Sequence, residues 1–385
     1  MTSRTRRIVL LVTAPVIAFA VVGGYFGKAS ARQDAYRHLA VFGDVANLIS
    51  TSYVEEANLS KVMRGAMRGL ADGLDADSAY LPAEEARVYE SGARAGVGET
   101  GIELTRGYYL RAIAVRDGSP AAKAGLMGGD FLRTIDGKPT REMSVYEGAR
   151  LLRGAPGSKV SLVVIRGNLV DPHTVDVTRE VQAGPDVTSR MEGGTIGYVR
   201  IAGFGPGAAK AVSSAAGELS KAGAKSLLVD VRDTATGSYD AGIAVAKLFV
   251  ASGTIALKEM RGESRQTMAA ATGDGAITLP AVLLVNNGTS GAAEIFTAAI
   301  AGQKRAALVG ERTHGRTAVQ KFIRLPDGGA MIVSNGWFLT PAGEPIHEKG
   351  LLPEVLVDVP EIDFGAPPPT TDLVLQKGLE KLKGK

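Results

Sequence analysis

Hydrophobic and polar positions change period four times along the chain. Residues 8–27, IVLLVTAPVIAFAVVGGYFG, carry no charge over 20 residues, enough to span a bilayer. Between about residues 34 and 90, apolar side chains recur at helical spacing in DAYRHLAVFGDVANLISTSYV and LSKVMRGAMRGLADGL. LDADSAYLPAEEARVYE follows, and its Pro82 predicts a helix restart. From 96 to 182 short β-rich runs (GIELT, YYLRAIAV, DFLRTIDG, KVSLVVIRG, HTVDVTRE) alternate with turn signals. Two helices, SPAAKAGL and SVYEGARLLR, fit between them, which predicts a small, mostly β domain. From 195 to 340 strand and helix alternate, beginning with TIGYVRIA, GAAKAVSSAAGELSKAG, KSLLVDVR and AGIAVAKLFVAS. AVLLV, a helix over 291–302, AALVG, TAVQKFIRL and AMIVSNGWFL follow, predicting a layered α/β core. APPPTT reads as a linker and DLVLQKGLEKLKGK as a last, lysine-rich helix.

Composition adds a compartment. Arg4, Arg6 and Arg7 precede the apolar run, and Ala29-Ser30-Ala31 fits a small-residue cleavage rule. A cleaved signal peptide and a retained inner-membrane anchor both fit. In either case residues 32–385 are expected outside the cytoplasm, periplasmic or otherwise extracytoplasmic, with membrane contact only through the N-terminal segment. The four Lys/Arg within residues 1–31 account for the whole formal charge of +4, so the basic pI is no sign of nucleic-acid binding. Cysteine is absent, which excludes disulfides and thiol catalysis. His38, His173, His314 and His347 are scattered without metal-ligand spacing, and neither a metal nor a cofactor is expected. The 385 residues leave room for two or three domains.

The chemistry concentrates in VNNGTSGAAEIF, residues 285–296. An apolar strand runs into a small-residue turn and then a helix, the way many hydrolases present a nucleophilic serine. Ser290 is the serine on that turn. It serves either as a nucleophile or as a helix N-cap.

Taken in order, LDADSAYLPAEE, ETGIELT, GSPAAKAGLMGGDFLRTIDGKP, LLRGAPGSKVSLVVIRG, IGYVRIAGF, LLVDVR, LLVNNGTSGAAEIFTAAI, ALVGERTHGRTAVQ and NGWFLTPAGEPIHEKGLLPEV resemble the carboxy-terminal-processing (tail-specific) serine proteases. The resemblance covers about residues 38–358. It implies an α+β multidomain fold: N-terminal helices (32–95), an inserted PDZ-like β domain (96–182) and a ClpP/crotonase-like α/β core (190–360). Residues 1–31 and 361–385 are the export segment and the linker with its C-terminal helix. Within the PDZ part, Glu99, Thr100, Gly101 and Ile102 form the loop expected to offer N–H groups to a peptide's terminal carboxylate. The next strand would pair with the peptide by β-addition.

Active members of that family resemble a Ser/Lys dyad. Their V-N-x-G-S-A-S-A-S-E-I turn, laid on this chain without a gap, puts the attacking serine on Gly291. Their G-K-G-x-V-Q motif puts the lysine on Arg316, 25 positions later, with Gln320 retained. A guanidinium stays protonated, with a pKa above about 12, and cannot take a proton. It could instead hold a peptide carboxylate. Their D-x-R-N-N-P-G-G oxyanion loop falls on Asp230–Gly237, where Thr236 occupies the first glycine position before Gly237. Threonine there is expected to resist the backbone conformation a glycine permits.

Three readings follow. The first is an exported pseudoprotease that binds polypeptide C-termini without cutting them, alone or as partner of an active protease. The second is an active serine endopeptidase using Ser290, with His314 as replacement base. The third is an envelope scaffold acting through self-association of its terminal helices.

Overall fold

A computed structural model describes residues 36–92, 97–167, 171–181, 184–367 and 369–383. The apolar run 8–27, its basic flank and Ala29-Ser30-Ala31 lie outside the described residues. Among the described residues no helix is long and apolar enough to cross a membrane. The chain forms two compact units, Met1–Gly69 and Leu70–Lys385. The first holds a helix over residues 36–52, whose Leu39, Val45 and Leu48 are exposed, and the start of the helix Leu59–Asp72.

The second unit is centred on a six-stranded sheet in the order Val187–Glu192, Ile196–Ile201, Ser226–Asp230, Ala281–Val285, Ala306–Gly310, Val355–Leu356. All but the first strand run parallel. AVLLV and AALVG are buried at every position. A parallel strand covered on both faces reads as an unbroken apolar run for this reason. Successive residues serve opposite faces. Val229, Leu283 and Leu308 face the helices Ala208–Lys221, Tyr239–Phe249 and Ala292–Gly302, while Leu228 and Leu284 face Val374 and Leu382 of Leu373–Lys383. The C-terminal helix is therefore a covering layer of the core. The sheet also begins before residue 190, with the strand Val187–Glu192.

A second sheet carries Ala330–Leu339 between Ala79–Leu81 and Thr254–Met260, with Ala318–Arg324 also paired to it. Ala79–Leu81 corrects the all-helical reading of residues 34–90. Asp75 Oδ1 accepts the Asp77 and Ser78 N–H groups, which turns the chain out of helix. The three strand residues are all buried, so they leave no alternation to read. The helix does restart after Pro82, over Ala83–Glu90.

The PDZ part is a sheet in the order Ile102–Arg106, Leu110–Val115, Phe131–Ile135, Lys159–Ile165, His173–Thr178. Its two helices, Pro120–Lys123 and Val145–Leu152, are capped by Ser119 and Ser144, whose hydroxyls accept the Ala122 and Glu147 N–H groups. Such a cap is worth about 1 kcal/mol. Ile102–Arg106 is the edge strand, with Val145–Leu152 beside it.

Candidate active site and peptide groove

The turn after Ala281–Val285 is fixed by its own side chains. Asn286 Oδ1 accepts the Gly288 N–H at 3.0 Å and the Asp233 N–H at 2.9 Å. Thr289 Oγ1 donates to the Val231 carbonyl and accepts the Asn286 N–H. The chain then enters Ala292–Gly302 through Gly291, at φ 64° and ψ −117°. This is the strained conformation of a nucleophile elbow, which costs an L residue of order 1–3 kcal/mol and glycine little. A Cβ built on Gly291 meets nothing closer than the Arg316 carbonyl at 3.8 Å and Tyr239 Cε1 at 3.9 Å. The elbow and the room for a side chain are present, and the side chain is not.

Glu294 ties this elbow to the loop carrying Arg316. Its buried carboxyl accepts the N–H groups of Gly291 (3.1 Å), Gly315 (2.6 Å) and Arg316 (2.7 Å) and the Thr313 hydroxyl (2.5 Å). Burial pushes its pKa up to about 7, against the pull of these four donors.

Arg316 is committed to the protein. Its Nε donates to Asp77 Oδ1 at 2.7 Å, and Asp77 is buried. Its Nη1 donates to the Leu104 carbonyl at 3.4 Å, on the outer edge of the PDZ strand. Against the effect of its partial burial, Asp77 and Glu103 hold the guanidinium more firmly protonated than usual. The fixed cation expected at Arg316 for a peptide carboxylate is paired here with the Asp77 carboxylate. Gln320 Nε2 donates to the Asp77 carbonyl, and the Tyr146 hydroxyl donates to Gln320 Oε1. Tyr146 belongs to the PDZ helix, so both groove walls are hydrogen-bonded to the base-position residues.

Ser290 lies on the turn immediately before Gly291. It is 1% exposed and its hydroxyl has no hydrogen-bond partner. No hydrogen bond joins it to His314, whose pKa burial and the nearby Arg316 push down to about 4. Nor is Ser290 the N-cap, since that position is Gly291.

The oxyanion loop also differs from expectation. Thr236 does not sit at positive φ, so threonine is accommodated without strain. The special conformation falls on Gly237, at φ 120°, where a Cβ would come within 2.2 Å of the Phe204 carbonyl oxygen. Phe204 N–H donates to the Thr236 carbonyl, and Ser238 N–H donates to the Phe204 carbonyl. That pattern turns the Gly237 N–H away from Phe204.

In the peptide loop, Glu99 lies in the short strand Gly98–Glu99, paired with Glu180–Val181, and its carboxylate meets Arg153 at 3.3 Å. Thr100, Gly101 and Ile102 follow directly into the edge strand, with Gly101 at φ 83°. Since the Leu104 carbonyl points out of the sheet, the same edge carries the outward N–H groups a peptide strand would pair with.

Sequence reasoning passed over Asp77, Glu294, Tyr146 and Tyr239. Tyr239 donates to the Ala318 carbonyl at 2.8 Å beneath Arg316. Glu294 stood three residues after Gly291, the spacing of a capping-box acid, and could have been found. No local spacing could have found Asp77, which lies 239 positions from Arg316.

An elbow on a parallel-sheet core, with a peptide-addition edge beside it, defines a serine-peptidase fold carrying a PDZ domain. The comparisons agree. Residues 195–357 match the model of peptidase family S41, and residues 112–166 match a PDZ domain model. The chain is 32% identical over 318 residues to the carboxy-terminal processing protease CtpA of Bacillus subtilis, covering 81% of this chain and 67% of that protein. It is 29% identical over 336 residues to the carboxy-terminal-processing protease of Bartonella bacilliformis, covering 85% and 77%. A solved photosystem II D1 C-terminal processing protease superposes with a TM-score of 0.69 at 27% identity, covering 83% of this chain and 92% of that one. The chain belongs to the carboxy-terminal-processing proteases of peptidase family S41.

Proposed function

We propose that this chain binds polypeptide C-termini through its PDZ groove and does not cut them. The observation that carries the reading is Gly291, an elbow in nucleophile geometry with no side chain to attack. Arg316 supports it, because a guanidinium paired with Asp77 cannot serve as a general base. The active alternative needs Ser290, whose hydroxyl is buried. On this reading the chain acts outside the cytoplasm, held by or released from residues 8–27. It presents or withholds C-termini from an active protease.

The test is a fluorescence-anisotropy titration of the full-length chain with one peptide made twice, as free acid and as C-terminal amide. The free acid binds at least tenfold tighter, and Gly101→Ala abolishes the difference, because the added Cβ would lie 2.2 Å from Ser119 Cβ. Equal binding of acid and amide overturns the reading.

A further inference from the structure

The segment that follows the last core strand crosses to the PDZ domain. It is anchored in the core at both ends. At its start the Val357 N–H donates to the Gly310 carbonyl at 2.9 Å. At its finish Asp372 Oδ1 accepts Arg232 Nη1 at 2.9 Å and the Leu375 N–H of the C-terminal helix. Between these anchors Phe364 packs against the PDZ core. Its ring stacks on His173, with centroids 4.4 Å apart and planes 10° from parallel. The Arg166 guanidinium lies 4.9 Å from the same ring.

Both partners are fixed from the PDZ side. His173 opens the strand His173–Thr178, in register with Val164. Arg166 donates to the two Asp130 oxygens at 2.6 and 2.8 Å and to the Gly125 carbonyl at 2.7 Å, and Asp130 is fully buried. A guanidinium held in that bidentate way is a rigid platform for an aromatic ring. The attachment itself is made of side chains. Among the described residues no backbone hydrogen bond joins residues 358–365 to a PDZ strand, and Phe364 is only half-buried. Such a contact opens without breaking a sheet, which places it at the low end of local stability. Beneath the segment lies a cavity of about 520 Å³, bordered by Ile113 and Phe131 of the PDZ domain, Asn287 and Gly288 of the elbow turn, and Val359 and Ile362 of the segment.

We propose that residues 358–365 are a strap that clamps the PDZ domain to the core, with Phe364 as its releasable fastening. While the ring is seated, the strap walls the cavity beside the elbow turn. When the ring leaves, that wall moves away and the PDZ domain swings on its remaining attachments, among them Arg116–Asp186 and Arg200–Asp117. The device does not depend on what the peptide groove binds.

The chain lacks cysteine, so paired labels can be placed cleanly. Nitroxides at Lys138→Cys in the PDZ domain and Lys225→Cys in the core, both exposed positions, report the distance between the two in the full-length chain. The wild-type background gives one narrow distance distribution. Phe364→Ala and His173→Ala each broaden it toward longer distances, and cleavage after Glu361 by a glutamyl endoproteinase speeds up at least about threefold. Phe364→Tyr, which keeps the ring, stays narrow and slowly cut. A Phe364→Ala or a His173→Ala protein indistinguishable from wild type overturns the proposal. Faster cleavage with unchanged distances also overturns it, because the segment would then cover the PDZ surface without clamping it.

Discussion

Arg316 Nε donates to Asp77 Oδ1 at 2.7 Å, joining the loop after the nucleophile elbow to the segment before the strand Ala79–Leu81. Asp77 is 6% exposed and the arginine side chain 26%. The position that resembles the family's lysine thus carries a cation paired within the fold. Removing one partner of a buried pair leaves the other uncompensated. Asp77→Ala lowers unfolding stability by about 2–3 kcal/mol, measured by urea denaturation. Arg316→Lys keeps the charge but presents one compact ammonium, which cannot hold Asp77 and the Leu104 carbonyl together. Hydrogen exchange in the strand Ile102–Arg106 then speeds up.

The Glu294 carboxyl is raised to about 7 in the fold, against an ordinary range near 4.3 in the unfolded chain. A group raised on folding contributes stability below its unfolded pKa and loses it as pH rises through its folded pKa. Between about pH 4.5 and 7.5, wild-type stability falls by on the order of 2–3 kcal/mol relative to a Glu294→Gln variant. The glutamine protein is less stable at the acid end, because its amide must face three backbone N–H groups. Chemical denaturation at several pH values checks the difference in slope.

Ser290 carries a buried hydroxyl without a partner, which costs about 1–3 kcal/mol. Ser290→Ala is therefore neutral or stabilising by about 1 kcal/mol, measured by thermal unfolding. A serine-reactive fluorophosphonate leaves wild type unlabelled at Ser290.

On the reading of binding without cleavage, installing a Ser/Lys dyad takes more than two substitutions. A serine has room at Gly291, where its Cβ would stand 3.8 Å from the Arg316 carbonyl oxygen and 3.9 Å from Tyr239 Cε1. A lysine at 316 would lie against Asp77, whose charge favours the protonated amine. Gly291→Ser with Arg316→Lys stays near background on an unfolded protein substrate. Adding Asp77→Asn raises the rate at least tenfold over that double variant, because the amine can then lose its proton.

The local parts of this molecule were legible in the chain. AVLLV and AALVG announced buried parallel strands, and SPAAKAGL and SVYEGARLLR announced capped helices, because both signals sit within a few residues. The place of Gly291 on the turn from strand into helix was legible from the local pattern. The strand Ala79–Leu81 was not, since three buried residues carry no period and its partner lies about 250 positions away. The fate of Arg316 was also hidden. A sequence shows that a guanidinium cannot be a base, but only the fold shows that Asp77 already holds it. Thr236 was misjudged for a related reason: the positive φ belongs to Gly237, one residue on.

The most direct test of binding without cleavage is intact-mass analysis of a bound peptide. A C-terminal peptide ending in Ala is incubated overnight with the full-length chain, the complex is isolated, and the peptide is recovered and weighed. The peptide is expected back at its original mass, in near-equal amounts from wild type and Ser290→Ala. Shortened products from wild type that disappear in Ser290→Ala would contradict it and make the chain a protease with a displaced nucleophile.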